Sequence, residues 1–155
     1  MSDPITLSLR DEAATRELAE RIAQACQPGD VVLLRGPLGA GKTTFVDAFA
    51  RALGAGPATS PTFVIAHCYP HGRIPLWHLD LYRLEEPGAV DELDLDQYID
   101  SASVTLVEWP ERAPNSWPGS SVEIELHIME HGRLATIKGL ESRRRAALAS
   151  REPHA

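Results

Sequence analysis

The sequence predicts an α/β protein of three layers, in which helices pack on a mixed, largely parallel sheet that also contains antiparallel hairpins. Residues 31–34 form a continuous apolar run, as buried parallel strands do. A glycine-rich loop and a segment with apolar residues at helical spacing follow directly, and later runs alternate between apolar and polar residues. With 155 residues the chain is one domain by size. We expect this domain to span residues 1–140, and residues 141–155, rich in arginine and alanine, to form a tail.

The N-terminal elements are predicted from their periodicity. Apolar residues at positions 5, 7 and 9 alternate with polar ones, which indicates a half-buried strand. Asp11 then stands where the N-cap of a helix is expected, and apolar residues recur every four positions from Ala14 to Cys26. Pro28 and Gly29 end this helix before the apolar run begins.

The loop after the apolar run matches the pattern Gly-x-x-x-x-Gly-Lys-Ser/Thr. Its glycines allow backbone N–H groups to point at a phosphate chain, and the following helix adds the partial positive charge of its N-terminus. The residues expected to bind the nucleotide are Gly36, Leu38, Gly39, Ala40, Gly41, Lys42, Thr43 and Thr44. Lys42 would neutralise the β- and γ-phosphates, and the Thr43 hydroxyl would bind Mg²⁺. Strand, loop and helix follow in the order of a P-loop NTPase-like fold; a glycine-rich turn without a ligand is the alternative.

The helix after the glycine-rich loop is followed by a segment rich in glycine, proline and hydroxyl residues, which cannot be helical. Ser60 and Thr62 lie where nucleotide-binding folds often place a loop that senses the γ-phosphate. A plain surface turn is an equally good interpretation.

Residues 64–69 and 74–82 are predicted to form an antiparallel hairpin, and Pro75 suggests an edge position for the start of the second strand. On period-two counting, Ile74, Leu76, His78 and Asp80 share one face, so that an apolar face ends in a carboxylate. Because an unpaired carboxylate is costly to bury, Asp80 is a candidate functional residue. The alternative is an exposed acid at the end of a strand.

An acidic segment follows, with eight carboxylates between residues 80 and 100 against Arg83 alone. Residues 84–99 are predicted to be helical in part, with Val90, Leu93 and Tyr98 facing inward. A solvated helix face explains most such runs, and a docking surface for a basic partner is the alternative.

The apolar run at residues 104–107 predicts a buried strand that ends at Glu108 and Trp109. Ligands of open α/β sheets bind at the carboxyl ends of strands, where a carboxylate is commonly placed beside Mg²⁺. Glu108 is therefore a second candidate site residue. Three prolines at positions 110, 114 and 118 predict a stiff, non-helical connection. Residues 122–128 and 134–138 then predict two strands around a turn at His131 and Gly132.

Charge and composition limit the partners and the cellular location expected for this chain. The net charge of −7 disfavours direct binding to a nucleic-acid backbone, so any nucleic acid is expected to arrive through a partner. The sequence contains neither an apolar run of membrane-spanning length nor a signal-peptide pattern, and we expect a cytoplasmic protein without a membrane partner. Cys26 and Cys68 lack the spacing of a zinc or redox motif and are expected to be buried, reduced thiols.

Three runs together, residues 36–45, 78–84 and 107–111, closely resemble the bacterial TsaE family, and the likeness extends over residues 11–133. The phosphate loop is generic, whereas the Asp-Leu-Tyr-Arg run at Asp80 and the Glu-Trp-Pro run at Glu108 are particular to that family. The resemblance implies an ATPase that uses ATP and Mg²⁺ and acts with TsaB and TsaD. Together they make N6-threonylcarbamoyladenosine at position 37 of ANN-decoding tRNAs. ATP hydrolysis would be slow alone and would support turnover of the TsaD transferase.

By position, the resemblance implies catalytic roles for Lys42, Asp80 and Glu108. Lys42 would contact phosphate, Thr43 and Glu108 would hold Mg²⁺, and Asp80 would orient the attacking water or the metal shell. Trp109 would shape the site beside Glu108.

Two further residues, Asp11 and Arg133, resemble family positions near the base. A guanidinium stacked on adenine is sensible chemistry for Arg133. An arginine exposed on a turn is the commoner case and remains the alternative.

Two other function classes are open from the residues alone. A small-molecule P-loop kinase would need an acceptor pocket and usually an arginine-bearing lid. The arginines between the helix after the glycine-rich loop and the strand at residues 122–128 are isolated, at 73, 83 and 112. A GTP-operated switch would carry an Asn-Lys-x-Asp guanine motif, which the sequence lacks.

Overall fold

The computed structural model describes residues 3–56, 65–84, 86, 89 and 93–140. Within them the strands are β1 (Ile5–Leu9), β2 (Val31–Arg35), β3 (Ala66–Tyr69), β4 (Leu76–Asp80), β5 (Val104–Glu108), β6 (Val122–Ile128) and β7 (Arg133–Lys138). The helices are α1 (Glu12–Ala25) and α2 (Lys42–Ala52), and short 3-10 turns occupy Leu95–Tyr98 and Pro110–Arg112. The predicted α/β class and both hairpins are confirmed. Cys26 is buried as predicted, but the prediction of a buried thiol is wrong for Cys68, which is exposed. The predicted tail, residues 141–155, lies outside the described residues.

One mixed seven-stranded sheet runs in the order β1-β7-β6-β2-β5-β4-β3. Its centre is parallel, because β2 pairs with β5 and β6, and β5 pairs with β4. Its margins are antiparallel, where β7 joins β1 to β6 and β3 joins β4. The carboxyl ends of β2, β4 and β5 therefore meet at one edge of the sheet, which is where ligands of such sheets bind.

The position predicted for Pro75 is wrong. β4 lies inside the sheet, between β3 and β5, so its start is not at an edge. The proline is tolerated because it precedes the first paired residue, where its missing N–H is not needed. Its carbonyl still accepts a hydrogen bond from Val104 N at 2.9 Å.

Both long helices cover the same face of the sheet. Asp11 starts α1 as predicted, since its carboxylate accepts a hydrogen bond from Ala14 N at 2.9 Å. Apolar residues of α1 and α2 then pack on Val32 and Leu34 of β2 in one buried cluster. Alternate residues of β2, including Leu33, belong to a second cluster on the opposite face.

The third layer is built from irregular chain and 3-10 turns between residues 93 and 117. Leu93 and Tyr98 face the second cluster as predicted. Within residues 93–100 the chain forms the 3-10 turn Leu95–Tyr98, and Val90 lies outside the described residues. The connection after β5 also begins with a 3-10 turn, Pro110–Arg112, so the prediction of a wholly non-helical segment is wrong there. Proline suits this first position because its φ angle is already that of a helical turn.

No helix in the described part of the chain is long and apolar enough to cross a membrane.

Candidate nucleotide-binding site

The phosphate loop joins the end of β2 to the start of α2. Gly41 is the N-cap of α2 and has a φ angle of 105°, and it provides no side-chain cap. Gly36 has a φ angle of 153°, and a Cβ there would lie 2.8 Å from the carbonyl oxygen of Leu126 in β6. The loop therefore needs glycine both for its backbone angles and for its close approach to β6. The first N–H groups of α2 point into the loop without a side-chain acceptor, which is an anion-binding arrangement.

Lys42 is the first residue of α2 and is buried beneath the loop, with 5% of its surface exposed. Its ammonium donates a hydrogen bond to the carbonyl of Gly36 and lies 3.6 Å from the ring centroid of Trp109. Burial lowers the pKa of Lys42, and the negative charges of Glu108, Glu111 and Asp80 oppose that shift. The ammonium is hydrogen-bonded to a neutral carbonyl and faces an aromatic ring, and the carboxylates interact with its charge. A phosphate oxygen that accepted a hydrogen bond from the ammonium would be a stronger partner than the carbonyl, because such a bond joins two charged groups.

Asp80 and Glu108 form an acidic wall beside the loop. They are direct neighbours in register at the carboxyl ends of the parallel strands β4 and β5. Burial and, after it, the charge of Glu108 raise the pKa of Asp80. The backbone N–H of Tyr82 donates to Asp80 Oδ1 at 3.0 Å and opposes that shift. Two carboxylates held this close favour a cation between or beside them.

The donor set fits Mg²⁺ bound together with phosphates. Thr43, Asp80 and Glu108 line one cavity of about 360 Å³ with the phosphate loop. No group of three or more His, Cys, Asp or Glu residues suited to a metal occurs among the described residues. Mg²⁺ usually takes one or two carboxylates and completes its shell with water and substrate phosphates. One hydroxyl and two carboxylates next to a phosphate cradle meet that requirement.

Trp109 follows β5 in a strained conformation. With φ 58° and ψ 47° it is the one non-glycine residue with positive φ in the described part of the chain. This backbone region costs about 1–2 kcal/mol for a residue with a Cβ, and such strain concentrates at functional sites. The turn brings the indole against Lys42 and within 5.1 Å, between ring centroids, of Tyr82. The sequence indicated Trp109 only through the family resemblance.

A second cavity of about 370 Å³ lies on the other side of the loop. Asp11 and Arg133 line it together with Gly39 and Gly41, so the structure brings both residues to the phosphate loop. Arg133 donates to the carbonyl of Gly39 at 3.0 Å, whereas the Asp11 carboxylate caps α1. A nucleotide with its phosphates in the loop could place its base and ribose on this side. That role of Asp11 and Arg133 stays a prediction.

Two residues predicted for the site lie outside the described part of the structure, and one residue that was not predicted contacts the site. Ser60 and Thr62 lie outside the described residues. His78 was placed by periodicity on the same face as Asp80, but its contact was not foreseen: its Nε2 lies 2.8 Å from Glu108 Oε2. A face can be read from a strand's alternation, whereas the partner across the sheet depends on the register of β4 against β5.

Comparison with known proteins identifies a family whose model matches most of this chain, and relatives with similar sequences. The family model described as threonylcarbamoyl adenosine biosynthesis protein TsaE matches residues 9–135. The tRNA threonylcarbamoyladenosine biosynthesis protein TsaE of Bacillus subtilis is 41% identical over 111 residues, which cover 71% of this chain and 69% of the relative. The protein of the same name from a Nostoc species is 39% identical over 129 residues, 80% of this chain and 78% of the relative.

The solved structures include a similar protein. The crystal structure of Bacillus subtilis YdiB superposes with a TM-score of 0.78 at 31% identity, over 97% of this chain and 95% of that one.

Proposed function

The chain belongs to the TsaE family, and from that premise we propose that it is a Mg²⁺-dependent ATPase required for threonylcarbamoylation of adenosine 37 in ANN-decoding tRNAs. The relatives from Bacillus subtilis and Nostoc are, by name, tRNA threonylcarbamoyladenosine biosynthesis proteins. The proposed chemistry comes from this chain's own site.

One observation carries the proposal: a phosphate cradle, a buried lysine and two carboxylates line a single cavity at the carboxyl ends of parallel strands. The cradle supports a di- or triphosphate, and the carboxylates support a divalent cation beside it. Phosphoryl transfer requires mainly positioning and charge stabilisation, which are what this set of groups can provide.

Each residue has a role in the proposed hydrolysis. The N–H groups of the loop and of the start of α2 bind the phosphate oxygens, and Lys42 exchanges its Gly36 carbonyl partner for phosphate. Thr43 and Glu108 would hold Mg²⁺, which when bound would neutralise charge on the phosphates. Asp80, fixed by the N–H of Tyr82, would orient the attacking water or the metal shell. Trp109 covers Lys42 and limits access of water to it.

The proposed partners are the TsaB and TsaD proteins, with tRNA reached only through the assembly. A net charge of −7 supports the indirect route, because a tRNA backbone would be repelled by the chain as a whole. A cytoplasmic location is proposed with the same assembly.

The test is ATP hydrolysis by the purified chain, alone and with TsaB and TsaD, with and without tRNA and with Mg²⁺ removed by EDTA. We expect slow turnover alone, stimulation by the partners, and loss of both with EDTA. Absence of stimulation would contradict the role in the assembly. Phosphate transfer to a small-molecule acceptor would favour a kinase, and equal competition by GTP would contradict the preference for ATP.

A further inference from the structure

His78 and Glu108 form a buried pair behind the acidic wall. The two side chains come from adjacent parallel strands, β4 and β5, and lie on the face that carries Asp80. Nε2 of His78 is 2.8 Å from Oε2 of Glu108, and the two residues are only 3% and 8% exposed. Of the two, Glu108 lines the cavity. The carboxylate therefore has the histidine ring on its inner side and the cavity on its outer side.

The second ring nitrogen indicates how the pair is bonded. Within the described ranges, two buried side-chain atoms lack a hydrogen-bond partner, and one of them is His78 Nδ1. In a neutral imidazole one nitrogen carries the proton and the other accepts. Assigning the proton to Nε2 lets it donate to the carboxylate and leaves Nδ1 as a bare acceptor, whereas the other tautomer would place two acceptors face to face. The ring is thus assigned one hydrogen bond, which Nε2–H donates to the carboxylate of Glu108.

A bond of this kind is poorly explained by stability alone. An unsatisfied buried acceptor costs about 1–3 kcal/mol, which offsets much of what the bond to Glu108 contributes. An apolar residue would fill this buried position, in a strand paired on both sides, without that cost. A histidine here points instead to a requirement on the orientation of Glu108.

We propose that His78 is a positioning residue that holds Oε2 of Glu108, so that the other carboxylate oxygen is directed into the cavity shared with Thr43 and Asp80. The inference deepens the proposed function and rests on it, because the directed oxygen is the one that would meet the cation. Without the bond, the negative charge of Asp80 in the adjacent strand would favour rotation of the Glu108 carboxylate away from the cavity. Each carboxylate of the wall then has one fixed bond: Asp80 to the Tyr82 N–H, and Glu108 to His78.

The test compares three substitutions by calorimetry of ADP binding, with Mg²⁺ and with EDTA. His78→Leu removes the donor. His78→Gln keeps an amide nitrogen near the place of Nε2, and His78→Asn offers the same amide on a side chain too short to reach. The control is His127→Gln, at a histidine of β6 whose Nε2 lies 3.0 Å from Glu125 Oε1. Thermal melting shows which variants are folded.

We expect ADP affinity in EDTA to stay within about twofold of wild type in all variants. The increase in ADP affinity that Mg²⁺ brings should be about 10–100-fold smaller in His78→Leu and His78→Asn. Metal affinity falls by that factor when a residue that supports a metal ligand is lost. His78→Gln should restore most of the increase. An undiminished gain in a folded Leu or Asn variant overturns the positioning role, as does His78→Gln behaving like His78→Asn, or equal losses with and without Mg²⁺. If the wild-type chain itself shows no gain from Mg²⁺, the proposed function fails and the positioning role fails with it.

Discussion

Replacing Gly36 by alanine should destabilise the protein even without a nucleotide. The φ angle of 153° is unfavourable for a residue with a Cβ, and the new Cβ would lie 2.8 Å from the carbonyl oxygen of Leu126. That carbonyl belongs to the β6 strand, where Leu126 is paired with Ala135, so no side-chain rotation can relieve the contact. Backbone strain costs about 1–3 kcal/mol and forced overpacking about another 1–3 kcal/mol. We expect Gly36→Ala to lose about 2–6 kcal/mol in total.

Gly39→Ala in the same loop is the matched control. Its φ angle of 84° is also left-handed, but a Cβ there would meet no atom within 4 Å. Only the backbone cost of about 1–2 kcal/mol remains. Urea and thermal unfolding at neutral pH without nucleotide would measure the difference, since 1 kcal/mol shifts the midpoint of a domain this size by about 2–4 °C. If Gly39→Ala is as damaging as Gly36→Ala, packing against β6 is not what requires glycine at position 36.

Three further predictions concern the charges of the site. Lys42→Ala should weaken ADP binding about 10–100-fold, because a hydrogen bond to a charged group contributes about 1.5–3 kcal/mol. Lys138→Ala, at the chain's other lysine, is the control and should leave ADP binding unchanged in the same titration. Glu108→Gln should cut steady-state ATP hydrolysis about 10²–10³-fold with the melting temperature retained, and a fully active variant would contradict its role. Asp80→Asn should raise the free energy of unfolding at pH 7, because burial and Glu108 raise the pKa of Asp80 and so disfavour its charged form in the folded state. That gain should shrink as the pH falls below the raised folded pKa towards the unfolded value of 3.8, because the folded carboxyl is protonated first and the unfolded one follows. Urea titrations from pH 7 to 4, with Glu130→Gln as control, would refute the reasoning if the gain grew instead.

The sequence was sufficient to predict the phosphate loop and its two carboxylates because short-range rules govern them. Alternation along a strand sets the face of Asp80, and the carboxyl end of an apolar run sets the position of Glu108. Their adjacency follows once β4 and β5 are parallel neighbours.

The remaining features depend on contacts between distant parts of the chain. The first strand pairs with the last, Ile5 opposite Ile137, and this pairing brings Arg133 to the loop. No local pattern specifies that partner, because an amphipathic edge strand can pair with several others. The acidic segment was predicted to be helical in part, whereas its described residues form the 3-10 turn Leu95–Tyr98. Helices in proteins are stabilised mainly by packing of an apolar face against the rest of the protein, which the segment's own sequence does not specify.

The contact between Trp109 and Lys42 makes the site optically observable. Indole emission responds to a nearby charge, and the ammonium lies 3.6 Å from the ring centroid. Movement of that charge towards a phosphate would alter the fluorescence of Trp109 without any added label. The other two tryptophans are separate from this contact: Trp77 packs against Tyr98, and Trp117 donates its indole N–H to the carbonyl of Pro110. With both of these replaced by phenylalanine, the emission would come from Trp109 alone, and occupation of the phosphate loop could be timed in a stopped-flow fluorimeter.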